Sequence, residues 1–325
     1  MMASIDRKSL PLLATVGVLI ALFGTASFLY PGFFSARVVV NLLSDNAFLG
    51  IAAIGMTFVI LSGGIDLSIG SVVAFTGVLT AVLIGKMGMH PLLAIPLALM
   101  AGAGFGALQG FLIQRYELPP FLATLAGMFL VRGLSFGVSK ESLGIVHPFY
   151  SQVLDFGVPL GGKLVVPATA LIFLAIFGVA LFVAHRTVFG RNIYALGGSE
   201  SSAVMMGLPV ASTRIAVYAL SGFCSALAGV TATFYMGSGN PAMGAGLELD
   251  AIAAVVIGGT LLSGGVGYLA GTLAGVLIFG TIQSALIFDG RLNSWWLRIA
   301  VGLLLLIFIL LQRLIVHRAG ARKAS

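Results

Sequence analysis

Residues 58–77 read FVILSGGIDLSIGSVVAFTG, and this stretch decides the fold. An apolar run halts at Ser62-Gly63-Gly64, passes through Asp66 and Ser68, and resumes at Ile69-Gly70-Ser71. Irregular backbone at membrane depth survives only where its freed N–H and C=O groups find protein or a water-filled cavity. Interrupted helices carrying polar residues line the solute path of many transporters. The expectation is that solute meets protein here, or that the molecule bends here.

Composition sets the class around this stretch. Hydrophobic residues make up 59% of the 325 and charged residues 8%, against about 25% charged in soluble domains. Mean hydropathy is +1.12. A soluble domain could not hide that much apolar surface, so the chain is expected to be an all-α polytopic membrane protein, a single transmembrane domain over residues 1–325 set in the lipid bilayer. Glycine reaches 44 residues, about twice its usual share, as close helix packing in membranes requires. The lone Cys224 excludes an intrachain disulfide and reads as a small core residue. A net charge of +7 would suit nucleic acid, but here the basic residues read as markers of cytoplasmic helix ends, with no nucleic-acid partner.

Apolar segments of about 20 residues mark the spans. They fall at 10–30, 44–62, 66–85, 91–114, 119–139, 164–184, 212–236, 247–263, 266–288 and 295–316, ten in all. The first reads as a spanning helix; the competing reading is a cleaved signal peptide, because Thr25-Ala26-Ser27 are small. With Arg7 and Lys8 inside, ten of the 17 basic residues lie at inner ends, including the clusters 185–191 and 313–323. Trp295 and Trp296 then lie at the outer interface, and an even span count puts both termini in the cytoplasm. The motif Leu61-Ser62-Gly63-Gly64 recurs as Leu262-Ser263-Gly264-Gly265, and Gly70-Ser71 as Gly271-Thr272, which reads either as a duplication or as chance in a glycine-rich chain.

Polar residues within or beside the spans are the candidate site residues. Asp66 has two readings: a carboxyl on the solute path with Thr57, Ser62, Ser68 and Gln283, or a helix cap accepting from the N–H groups of residues 67–69. Gln109 reads as a further path residue. Glu248 and Asp250 open a span after 237–241. They suit a helix dipole, and they also suit an outer mouth where solute or a docking protein arrives. Asn46 precedes the second span and admits the same two readings. Gly102, Gly106 and Gly110, and Gly267, Gly271 and Gly275, repeat every four residues as helix-packing faces. The longest cytoplasmic interruption, 185–211, contains Glu200, Ala203 and Gly207 in E-x-x-A-x-x-x-G spacing. This spacing predicts a short surface helix capped by Ser199 and stopped by Gly207. No Walker phosphate loop, zinc-type Cys/His spacing or G-x-S-x-G is present. No catalytic residue, metal site or cofactor of the chain's own is therefore expected.

SGGIDLSIG at 62–70, RTVFGRNIYALGG at 186–198 and ELDAIAAVVIGGTLLSGGVG at 248–267 together resemble the permease subunits of ribose-type ABC sugar importers. NAFLGIAAIGMTFVILSGGIDLS at 46–68 and LNSWW at 292–296 resemble the galactofuranose importers among them. The resemblance implies a ten-span permease of the type II, vitamin B12-importer-like class in the bacterial inner membrane. It implies a coupling helix at 200–207 docked on a cytoplasmic ATPase, which carries ATP and Mg. It further implies a periplasmic sugar-binding protein and a second permease subunit. Ser201 and Ser202 stand where the family pattern has Glu-Ala-Ala or a relative, which puts the individual docking contacts in doubt. The substrate implied is a monosaccharide, galactofuranose or another simple sugar such as ribose. The competing class is a gradient-driven secondary carrier, but such carriers keep several mid-membrane acids or histidines for relay.

Overall fold

The computed structural model describes residues 10–161, 164–291 and 295–321. Arg7, Lys8, Lys163, Arg322, Lys323 and the first three residues of LNSWW lie outside them. In chain order the elements are α1 (Leu10–Leu29), α2 (Ala36–Asp45), α3 (Ala47–Leu61), α4 (Ile69–Ala81, prolonged by a π-helical turn Val82–Lys86), α5 (Pro91–Arg115) and α6 (Pro120–Val138). Then come β1 (Leu143–Gly144), α7 (Pro148–Asp155), β2 (Gly157–Gly161), β3 (Leu164–Pro167), α8 (Ala168–Arg186), α9 (Val188–Gly198) and α10 (Glu200–Met205). Last come α11 (Val210–Met236), β4 (Ser238–Gly239), α12 (Leu247–Ile257), α13 (Leu269–Asp289) and α14 (Trp295–Ala321).

The central helix is α3, apolar all round and buried at every position except Phe48. Around it pack α8, α11, α12 and α13. Between helices in lipid the hydrophobic effect adds little, so close backbone approach has to hold them. The α5–α11 contact shows how: a Cβ on Gly102 would lie 2.7 Å from Gly222 O, and one on Gly222 would lie 2.2 Å from Gly102 O. Gly106 and Gly110 continue the seam against Tyr218 and Ile215. Gly271 and Gly275 seat α13 against Gly258 and Ala254 of α12, whereas Gly267 lies in the turn before α13.

The protein is helical and polytopic, but the expectation of ten spans is corrected. Among the described residues seven helices are long and apolar enough to cross a membrane, or eight if α2 and α3, bent by 58°, count as one. One expected span falls short for a physical reason. The segment expected at 247–263 holds a helix of only 11 residues, about 16 Å long against a hydrocarbon core of about 30 Å. Gly258 and Gly259 stop it, and Thr260 N and Gly259 N close back on Val255 O and Val256 O. Helix α14 runs for 27 residues, Trp295–Ala321, and Trp295–Leu310 is the part of it that counts as apolar among the described residues. The type II arrangement expected with ten spans is therefore not what these residues form. The structure also adds two short antiparallel ribbons, β1–β4 and β2–β3, at the end of the bundle opposite α9 and α10.

Candidate functional site

Three glycine pairs meet at one end of the bundle. Helix α3 ends in a turn in which Gly63, at φ +84°, donates to Ile60 O while Gly64 donates to Val59 O; only glycine takes that conformation without strain. Gly265 N then donates to Leu61 O at 2.9 Å, so the two Leu-Ser-Gly-Gly motifs touch. Gly197 of α9 wedges between them: a Cβ there would fall 1.8 Å from Leu61 O. Tyr194 of α9 donates to Gly267 O at 3.0 Å, and burial pushes its phenol above the ordinary range. The repeated motif is thus a contact between two interrupted segments rather than two separate turns.

From this junction residues 64–68 climb back into the bundle. Ser221 of α11 bonds Asp66 and also lies against Gly55, whose Cβ would sit 3.1 Å from Ser221 Cα. Gly55 is six residues short of the end of α3, so Asp66 lies about 9 Å inside it. There Asp66, buried, accepts from Ser68 N (2.9 Å) and Ser68 Oγ (2.6 Å) on one oxygen and from Ser221 Oγ (2.7 Å) on the other. Ser68 Oγ also lies 3.0 Å from Gln109 Oε1. A hydroxyl has one proton, and Gln109 Nε2 is buried without a partner. Turning that amide would point an N–H at Ser68 and satisfy the hydroxyl.

Asp66 therefore closes an Asx turn at the head of α4, bonding the N–H of Ser68 alone among the three expected.

A second interrupted segment reaches the same level from the ribbon end. Residues 237–246 descend beside α4, Gly239 against Gly77 and Gly244 against Gly70. Arg132 of α6 holds them by donating to Pro241 O (2.9 Å) and Met243 O (2.7 Å). Because Ala254 faces Gly275, Leu247 falls opposite about residue 282, roughly 10 Å short of the end of α13. Glu248 and Asp250, expected at an outer mouth, thus begin a half-helix inside the bundle. Glu248 feels the charge of Arg132, and Asp250 that of Arg298. Glu248 Oε2 lies against Gly70, buried and without a hydrogen-bond partner.

Gly70 is where the two interrupted segments touch, since a Cβ there would lie 2.1 Å from Gly244 O and 2.3 Å from Glu248 Oε2. Gly70→Ala is expected to wedge them apart at a cost of about 1–3 kcal/mol and to depress transport at matched membrane levels. Unchanged uptake by that variant would show that the two segments separate freely.

The remaining expected residues do not converge on this point. Thr57 Oγ1 donates to Ala53 O and pairs with Thr272 Oγ1 at 2.8 Å, joining α3 to α13. Ser62 bonds Val59 O and lines a cavity of about 520 Å³ with Glu117, Glu200, Arg214 and Tyr218. Gln283 is exposed on α13. Asn46 is buried in the α2–α3 bend, its Nδ2 on Leu42 O and against Gly280. In α10, Ser199 caps Ser202 N, Ala203 is fully buried on Leu196 and Val210, and Gly207 turns the chain at φ +72°. Glu200 pairs with Arg214 at 2.6 Å. Sequence reasoning missed Ser221 and Arg132, one more serine and one more interfacial arginine among many. Gln109 it had marked.

Comparison with known proteins places the chain. Residues 38–310 match the family described as branched-chain amino acid transport system / permease component. The inner membrane ABC transporter permease protein YjfF of Escherichia coli is 53% identical, over 94% of this chain and 93% of its own. The ribose import permease protein RbsC of Bacillus subtilis is 41% identical over 88% of each chain. The fructose import permease protein FruG of Bifidobacterium longum is 38% identical over 98% of this chain and 95% of its own. No solved structure matches. The match also overturns the type II, vitamin B12-importer-like class, because it groups the chain with ribose-type permeases instead. A permease component conducts solute and is not itself an enzyme. The chain belongs to the branched-chain amino acid transport permease family, as a ribose-type ABC importer permease of the inner membrane.

Proposed function

We propose that this sugar importer permease passes a monosaccharide, galactofuranose, into the bacterial cytoplasm. The observation that carries a transport role is the meeting of two interrupted helices at Gly70 and Gly244, deep in the bundle. Broken helices with their termini inside the membrane are how transporters place polar groups on a path. Asp66, Ser68 and Glu248 stand beside that meeting point, with Thr57, Ser62 and Gln283 along the remainder. The segments 46–68 and 292–296 support galactofuranose; the names of the relatives support a simple sugar, fructose or ribose. Cells carrying the whole importer should take up labelled galactofuranose, and unlabelled ribose or fructose should compete poorly. Uptake of ribose in preference would reassign the sugar.

The remaining parts of the machine follow from the same reading. A cytoplasmic ATPase, which binds ATP and Mg, docks on the short helix α10, which Glu200 opens, Ala203 seats on the bundle and Gly207 ends. A periplasmic sugar-binding protein delivers the solute towards Glu248 and Asp250. A related second permease completes the conduit, and both termini face the cytoplasm. Gly207→Trp tests the docking segment. A left-handed backbone costs a bulky residue about 1–2 kcal/mol, and nothing stands within 4 Å of the position. The variant should therefore insert normally yet hydrolyse ATP without matching uptake. Wild-type uptake at equal membrane levels would remove the docking role.

A further inference from the structure

Arg214, Tyr218 and Ser221 stand at i, i+4 and i+7 of α11 and so share one face of the helix. Each touches a different part of the machine. Arg214 Nη2 pairs with Glu200 of α10 at 2.6 Å, while its Nη1 donates to Gln114 Oε1 of α5 at 2.8 Å. Tyr218 is buried with its hydroxyl against Gly64, where a Cβ would fall 2.4 Å away. Ser221 Oγ donates to Asp66 Oδ2 at 2.7 Å. One rigid helix thus connects the short surface helix, the glycine junction and the buried polar turn at the head of α4.

We propose that this face of α11 transmits movement of α10 to the interrupted helix at Asp66, with Arg214 and Ser221 as positioning residues for coupling. The proposal rests on the reading of α10 as the ATPase docking segment. Stability alone does not account for the ion pair. Glu200 is 52% exposed and Arg214 18%, and a pair open to water on one side adds little to folding. What it does is fix the position of α10 relative to the base of α11. The connection continues through packed backbone, since Gly106 of α5 lies 2.1 Å from Tyr218 O by its would-be Cβ. A push on α10 therefore cannot be absorbed by side-chain rearrangement between Arg214 and Ser221.

The test uses the complete importer in proteoliposomes and reads sugar moved per ATP hydrolysed, together with the thermal unfolding midpoint. Glu200→Gln and Arg214→Gln should each lower that ratio about 5-fold or more while the midpoint stays near wild type, and Ser221→Ala should lower the ratio as far with a reduced midpoint, because the buried Asp66 loses one donor. The exchanged pair Glu200→Arg with Arg214→Glu should recover most of the ratio, because the contact is restored with its charges reversed and Gln114 can turn its amide to donate. If Glu200 acted only by touching the ATPase, the exchange would rescue nothing, and the proposal would fall. Unchanged ratios in the single variants would overturn it equally. A wild-type importer that hydrolyses ATP without moving any sugar would instead refute the transport reading itself, before any variant is compared.

Discussion

Valine at position 197 is expected to abolish accumulation of the protein in the membrane. The first side-chain carbon would fall 1.8 Å from Leu61 O and 2.6 Å from Gly265 N, the two atoms whose 2.9 Å hydrogen bond joins the interrupted segments. Neither is a flexible side chain. To admit it, α9 must leave the junction or the junction must open and break the hydrogen bond that joins the two segments. Gly264 closes the alternative, since its own Cβ position is 2.8 Å from Gly63 N. The cost therefore exceeds the about 1–3 kcal/mol of ordinary overpacking. Gly198 is the control, because a Cβ there meets nothing within 4 Å. Gly198→Ala should accumulate close to wild type. Quantifying tagged protein in membranes, with limited proteolysis for integrity, decides the matter: Gly197→Val at wild-type level and protease resistance would mean the junction is not fixed.

That junction shows which parts of the structure the sequence made legible. The break at residues 62–68 was readable because glycine pairs and an acid inside an apolar run contradict an uninterrupted helix. The α10 helix was readable from its cap, its spacing and its terminal glycine, and it forms over Glu200–Met205. The repeated Leu-Ser-Gly-Gly was visible as a repeat, but sequence carries no signal that the two copies touch, since that contact spans some two hundred residues. The span count failed at α12 because residues 251–263 carry no charged side chain, so the segment reads as one apolar run, while the backbone has already left the helix at Gly258. Apolar composition measures what can sit in lipid, and a half-helix followed by an irregular segment packed among protein satisfies it as well as a full span does. For the same reason Glu248 was expected at a surface, although its helix starts inside the bundle.

Replacing Asp66 by leucine should cost the protein its transport and much of its stability, whereas Asp66→Asn should keep most of both. The buried carboxyl accepts from three donors: Ser68 N, Ser68 Oγ and Ser221 Oγ. Leucine would leave them without that acceptor. Ser68 Oγ can turn to the Gln109 amide, 3.0 Å away, once that amide presents its oxygen, and Ser221 Oγ can fall back on the carbonyl one turn earlier, as buried helical serines do. Ser68 N has no such escape, and an orphaned buried donor costs about 1–3 kcal/mol. Leucine is also bulkier than aspartate at a fully buried position, adding about 1–3 kcal/mol of overpacking. Asparagine keeps one oxygen for Ser68 and presents an N–H₂ to Ser221, whose hydroxyl can accept instead, so at most one bond is weakened. The measurement is uptake normalised to folded protein, with the unfolding midpoint recorded for both variants. If the turn acts by holding the head of α4, the two readouts fall together and Asp66→Asn stays near wild type in both. If Asp66→Asn folds normally but transports poorly, charge at this position acts on the solute directly, and the helix-capping account of Asp66 fails.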